Sequence, residues 1–285
     1  MAEGTCEDGF LRHIRACQNA SLPGTRRAFH IGAEQVGWVQ PALAEALAGF
    51  PEISSEPACV TLADPDALPA IAHALSGRGF YRWRNEAFDV RAAADGPVLA
   101  TLDRGAVPAF GVATEGVHVN GLVRRADGLF LWIARRAMNK PLDPGKLDHL
   151  VAGGVPAGLS LAQTLVKEAG EEASIPPEIA ATARHVASIS YTMERPEGLR
   201  RDRLHCYDLC LPDGFRPLAA DGEVESFELW PVERVLVTVR DSDEFKFNVN
   251  LVLIDLFLRE GLIRGSQAGR LRAALDSGRC YSSER

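Results

Sequence analysis

The chain has 285 residues, 46% of them hydrophobic and 24% charged, with a formal charge of −7. That is long for one domain and comfortable for two, and ordinary for a globular protein with a proper core. No long basic run offers a footprint for nucleic acid or an anionic membrane, so small-molecule chemistry is expected. The opening residues lack the continuous apolar core of a secretion signal, and no stretch approaches the roughly 18 apolar residues of a membrane span, so a cytoplasmic protein is expected.

Cys6, Cys17, Cys59, Cys206, Cys210 and Cys280 form no C-x-x-C pair. In a chain this large without a secretion signal they are expected to be reduced thiols. His205, Cys206 and Cys210 in a strand-like run could be imagined as a zinc site, but no second cluster supplies the remaining tetrahedral ligands.

In chain order, the first twenty-odd residues read as a helical or loose lead-in, broken at SLPG. Arg27 to Val39 has extended character, and Pro41 opens a helix through Phe50. A second helix follows DPDALPAIAHALSGRG, and Tyr81 to Val90 reads as a strand. This predicts a small α+β domain over residues 1–111. From Val112 the texture changes. HVNGLVRRADGLFLWIARR holds two β-rich runs joined through Asp127-Gly128, a strong hairpin signal. PLDPGKLDHLVAGG reads as a loop. HVASISYTM, RLHCYDLCL and Ser226 to Trp230 read as further strands, followed by a helix around Asn248 to Glu260. Residues 112–265 are expected to form the second domain, and SQAGRLRAALDSGRC a terminal helix within a tail over 266–285.

The most informative segment is Gly153 to Ile175, GGVPAGLSLAQTLVKEAGEEASI. Ser160 and Gln163 have the spacing of a capping box, which predicts a helix from about Leu161. Leu161, Ala162, Leu165, Val166, Ala169 and Ala173 fill one apolar arc of it, and Glu168, Glu171 and Glu172 gather on the neighbouring arc. Such a cluster repels itself, and a hard divalent cation with a preference for carboxylate oxygens would compensate it. Gly153, Gly154 and Gly158 let the preceding loop turn and bring backbone close to phosphates and metal.

This segment resembles the Nudix box, G-x5-E-x7-R-E-U-x-E-E-x-G-U with U apolar, through Gly153, Glu168, Ala169, Glu171, Glu172 and Ile175. It departs from the general pattern at Leu159, in place of Glu, at Lys167, in place of Arg, and at Ser174, in place of Gly. RAFHIGAEQVGWVQP, RWRNEAFDV, FGVATEGVHVNGLV, LWIARRAMNKPLDPGKLDHLVAGGVPAG, DGEVESFELW and FKFNVNLVLIDLFLREG resemble one branch of that superfamily. In it a Nudix domain follows an N-terminal domain of otherwise unknown function, sometimes fused to thiamine pyrophosphokinase, and an apolar residue at 159 and Lys at 167 fit the branch.

The resemblance implies an α/β fold: a Nudix α/β/α sandwich with a mixed sheet, preceded by the small α+β domain. It also implies Mg²⁺- or Mn²⁺-dependent hydrolysis of thiamine diphosphate, preferentially of its oxy and oxo damaged forms, to monophosphate and phosphate. Glu168, Glu171, Glu172 and Glu223 are the expected metal ligands, with Glu225 the runner-up to Glu223. Glu168 or Glu171 is the expected proton acceptor, and Lys167 could hold a glutamate electrostatically. Gly153, Gly154, Arg200, Arg203, His118, Asn120 and Lys146 are the substrate-binding candidates, His118 and Asn120 because they share a strand face. Trp38 and Trp83 could stack on an aromatic cation, although core packing is favoured for both. The partner is a small-molecule diphosphate, and a homodimer is left open. Two other readings stay open: a Nudix hydrolase of a nucleoside diphosphate derivative, and a non-catalytic ligand sensor suggested by Leu159 and Lys167.

Overall fold

The computed structural model describes residues 3–220 and 222–281, with side chains from residue 9 onward. It opens with helix α1 (Glu3–Cys17). Strands β1 (Arg27–Ile31) and β2 (Glu34–Val39) form a hairpin, then α2 (Pro41–Leu47), β3 (Ile53–Ser55), β4 (Cys59–Leu62) and α3 (Leu68–Gly77) follow. β1 pairs with β2 antiparallel and with β4 parallel, giving the sheet order β2-β1-β4-β3. Its inward residues Phe29, Val60 and Leu62 meet Leu43, Leu47, Leu68 and Leu75 from the helices in one core. Trp83 packs against that core, edge-on to His73.

The strand expected over Tyr81 to Val90 is shorter, β5 (Ala87–Val90), paired with β6 (Ala100–Asp103). The reason lies across the hairpin. The Asp103 carboxylate accepts the backbone N–H groups of Arg84, Glu86 and Gly105, and Asn85 adopts a φ of 60°. A side chain thus takes the donors that a ladder would have used. A short helix, α4 (Val107–Phe110), ends this region.

The second sheet contains β7 (Ala113–Arg125), β8 (Gly128–Arg136), β9 (Leu147–Asp148), β10 (Val151–Gly154), β11 (Arg184–Arg195), β12 (Gly198–Cys210) and β13 (Val224–Pro231). Its main path runs β11-β12-β7-β8-β13, and β12 lies parallel to β7. The other edge of β7 forks: Gly116 to Val119 pair with β10, whereas Gly121 to Arg125 pair with β8. β9 stays on β8, so the chain crosses the fork between Asp148 and Val151. The loop expected over PLDPGKLDHLVAGG therefore contains two short strands.

Helices α5 (Leu161–Ala173) and α6 (Pro177–Ala180) cover one face, where Val117, Val119, Val151, Leu165 and Ala169 pack together. The opposite face is covered by α7 (Val232–Asp241), α8 (Val249–Arg259) and α9 (Gly265–Asp276), with Leu122, Tyr191, Leu204 and Cys206 beneath them. This is the expected three-layer α/β/α sandwich on a mixed sheet. α1 packs in this second core, not the first: Phe10, Ile14 and Cys17 are buried among residues of α8 and β11, and the Gln18 amide reaches the carbonyl of Ala274. The four valines of α7 lower its helix propensity slightly, yet Val232, Val235 and Val239 recur at helical spacing and are all buried.

α5 ends in a Schellman arrangement, with the Ile175 N–H bonded to Ala169 O and the Ser174 N–H to Gly170 O. Ser174 sits there at φ 53°, the left-handed conformation that explains why glycine is usual at this box position. Its hydroxyl donates to Leu218 O at 3.0 Å, which offsets part of the strain. Ser174→Gly is expected to raise stability by about 0.5 to 1 kcal/mol, the strain relieved less the bond lost. A urea unfolding curve that shows no gain would mean that the Leu218 bond outweighs the strain.

Candidate active site

The capping box predicted from spacing is present: Gln163 N–H donates to Ser160 Oγ at 3.2 Å, and Ser160 N–H to Gln163 Oε1 at 2.9 Å. This fixes where α5 starts, and therefore which way its glutamates point. Glu168 and Glu172, one turn apart, both face β10. The Glu172 carboxylate is buried and accepts the N–H of Ala152 at 2.9 Å. Glu168 lies across Gly153 so closely that a Cβ there would stand 2.4 Å from its Cγ. Gly153 is thus a cradle shaped for the Glu168 side chain.

Burial raises the pKa of both acids, that of Glu172 to about 8, because among the described residues its carboxylate is offered one backbone amide. Glu171 instead points outward, where Lys167 bonds it at 2.6 Å and Glu168 at 3.1 Å. Lys167 thus holds two glutamates, but as a point charge rather than a planar fork.

Glu223, just before β13, pairs with Lys140, and its charge adds to the burial that raises the Glu168 carboxyl. Glu225 occupies the bulge where β13 slips against β8, so the strand alternation that would align it with Glu223 is broken.

The N-terminal region reaches this loop. The Phe88 ring lies against Gly154, where a Cβ would stand 2.7 Å from it. Burial opposes ionisation of Glu223, but Lys140, with a smaller part from the Arg104 guanidinium above that ring, holds its carboxyl low. A cleft of about 320 Å³ opens nearby, lined by Phe88, Arg91, Glu115, Leu159, Ser160 and Tyr281. Leu159 therefore gives this cleft an apolar wall where the general box would place an acid.

Other candidates lie elsewhere. His118 and Asn120 do share a face of β7, but it is the face opposite α5, since Val117 and Val119 are the residues that meet the helix. Both are buried; Asn120 donates to Asp208, and His118 stands edge-on to His149 at 5.3 Å. Arg200 is bound by Asp202 at 3.1 Å and lies over Phe247. Arg203, on the other face, stands opposite Glu115 in the strand register, beside the cleft. Lys146 donates to Asp243 O in a separate depression with Arg135 and Met138. His205 and Cys206 point to opposite faces, and Cys206 is in the core.

The chain matches the NUDIX domain family over residues 114–249 and the family described as "Domain of unknown function (DUF4743)" over residues 9–114. It is 38% identical to Nudix hydrolase 20, chloroplastic, of Arabidopsis thaliana, over 92% of this chain and 76% of that protein. The chain belongs to the Nudix hydrolase family. Nudix hydrolase 24, chloroplastic, of the same plant is 39% identical over the same shares. Among solved structures, DR0079 from Deinococcus radiodurans matches 66% of this chain and 99% of its own, with a TM-score of 0.44 at 22% identity.

This Nudix hydrolase is an enzyme of a class that works with divalent metal ions. The carboxylate oxygens of Glu168 and Glu172 are hard donors, and the burial that disfavours their charge is relieved by a cation, so the residues present fit such an ion. Among the described residues no three acids surround one point; Lys167 pairs with Glu171 and Lys140 with Glu223.

The buried network behind the site was not visible in the sequence. Asp148 takes a bond from Arg136 at 2.7 Å and lies 3.6 Å from Lys246, so its carboxyl stays well below the usual range although burial opposes this. Gly153→Ala is expected to destabilise this Nudix hydrolase by about 1 to 3 kcal/mol and to displace Glu168, since the new methyl overlaps its stem. Activity that falls less than tenfold in that variant would show that Glu168 need not occupy the cradle.

Proposed function

We propose that this enzyme hydrolyses the phosphoanhydride bond of thiamine diphosphate, and preferentially of its oxy and oxo damaged forms, to the monophosphate and phosphate with Mg²⁺ or Mn²⁺. The hydrolytic part rests on one observation: α5 sets Glu168 and Glu172 side by side over Ala152 and Gly153. The choice of substrate rests on the resemblance of the sequence segments to the thiamine-associated branch. Contact of Phe88 with the glycine loop supports a part for the N-terminal region in shaping the pocket.

In this reading Glu168, Glu171, Glu172 and Glu223 hold the metal, which when bound polarises phosphoryl oxygen and lowers the pKa of water. Glu168 or Glu171 takes the proton of the attacking water. Gly153 and Gly154 let Glu168 and the Phe88 ring close onto the backbone beside the diphosphate, and Lys167 fixes the orientation of Glu168 and Glu171. Arg203 lines the approach; His118, Asn120, Arg200 and Lys146 have no part in it.

The test is phosphate release from thiamine, oxythiamine and oxothiamine diphosphates, with ADP-ribose and ADP for comparison, in each metal and in Glu171→Gln. Faster turnover of the damaged forms, lost in the variant, is expected. Preference for ADP-ribose or ADP would replace the substrate with a nucleoside diphosphate derivative, and metal binding without turnover would favour a ligand sensor.

A further inference from the structure

We propose that Lys140 is the built-in counter-ion of the metal site, seated on Glu223 until a divalent cation displaces it, and that it then moves to the diphosphate. The inference rests on the metal-dependent reading of the site and gives a role to a residue with none so far.

The backbone around Lys140 is hydrogen-bonded on both sides. Ala137 N–H bonds Glu223 O at 2.9 Å, and Lys140 N–H bonds Ala137 O at 3.2 Å, so a tight turn brings residue 140 back over residue 223. Beyond it, the Arg136 guanidinium donates to the carbonyls of Leu142 and Asp143, and Arg135 to that of Gly145. Arg195 and Phe247 N–H both bond the Asp143 side chain. The exchange is accordingly assigned to the Lys140 side chain, on a loop tied down at both ends.

That side chain is suited to the exchange. Its ammonium pairs with the Glu223 carboxylate, and the Lys140 side chain is only 16% exposed whereas that of Glu223 is 50% exposed. The same charge is felt at Glu172, so one ammonium acts on two of the four expected metal ligands. A lysine carries its charge as a compact point on a flexible stem with three rotatable donors. It can leave a carboxylate for a phosphate oxygen without the loss of planar geometry that an arginine would suffer. Arg136 cannot take this part, because Asp148 and two carbonyls already hold it.

Mn²⁺ binding by the full chain, followed through the signal of free Mn²⁺ in electron paramagnetic resonance without substrate, tests the first half. Lys140→Met and Lys140→Gln are expected to bind Mn²⁺ about two- to fivefold more tightly than wild type, the equilibrium worth of a partly exposed ion pair. The gain should shrink in a Glu223→Gln background, where only the weaker effect at Glu172 remains. Methylenediphosphonate, bound in the presence of Mn²⁺, tests the second half and should bind more weakly to both Lys140 variants. Unchanged or weaker Mn²⁺ binding in folded Lys140 variants overturns the counter-ion, as does a gain that Glu223→Gln leaves undiminished. Unchanged diphosphonate binding overturns the transfer. None of these measurements needs turnover, so they separate this inference from the choice of substrate.

Discussion

Glu168→Gln is expected to lower kcat by about 10²- to 10⁴-fold while the protein stays folded. The amide has the shape of the acid, so it still fits over Gly153, where the side chain is 15% exposed. Burial already disfavours the ionised form, so a neutral group there costs the fold little. What is lost is the charge that a metal or a water proton would meet. Matched thermal melts and Mn²⁺ titrations should accompany the kinetics. A variant that keeps more than a tenth of wild-type turnover would remove Glu168 from the mechanism.

Asp148→Ala should be the most damaging single change to stability. Arg136 and Lys246 are both nearly buried, and Asp148 is the acid between them. Removing one partner of such a group strands the others and costs about 3 to 5 kcal/mol. For a chain of this size that corresponds to a fall in Tm of roughly 6 to 20 °C.

The pH dependence gives an independent check. The folded carboxyl is held below its unfolded value of about 3.9, so the folded state gains from ionised Asp148 at neutral pH. That gain is present above about pH 3.9 and is lost as the pH falls through the lower folded pKa. The stability gap between wild type and variant should accordingly narrow in acid. A gap that stays constant from pH 7 to the acid limit would show that the loss comes from packing instead.

Features legible in the sequence are those set by neighbours along the chain. The start of α5 follows from Ser160 and Gln163, and the turn between β7 and β8 from Asp127-Gly128. Features set by distant partners were not. β9 and β10 are too short to carry a pattern and exist because β7 forks to receive them. The loop before β5 is decided by Asp103, well downstream. Alternation correctly joins His118 and Asn120 on one face, but nothing local says which face looks toward α5. Nothing local marks Lys140 and Lys246, whose partners Glu223 and Asp148 lie far away along the chain.

The position of α1 changes how the architecture should be cut. Because Phe10, Ile14 and Cys17 belong to the core under α8 and β11, the catalytic sandwich begins before the first sheet and resumes after it. Residues 27–112 are in this sense an insert within the sandwich rather than a prefix to it. A truncated chain that simply starts at residue 113 leaves a hole where the buried side chains of Phe10, His13, Ile14 and Cys17 belong. The faithful minimal enzyme keeps the first twenty residues and rejoins them to β7, and a comparison of that loop-out with the full chain isolates what the inserted sheet contributes.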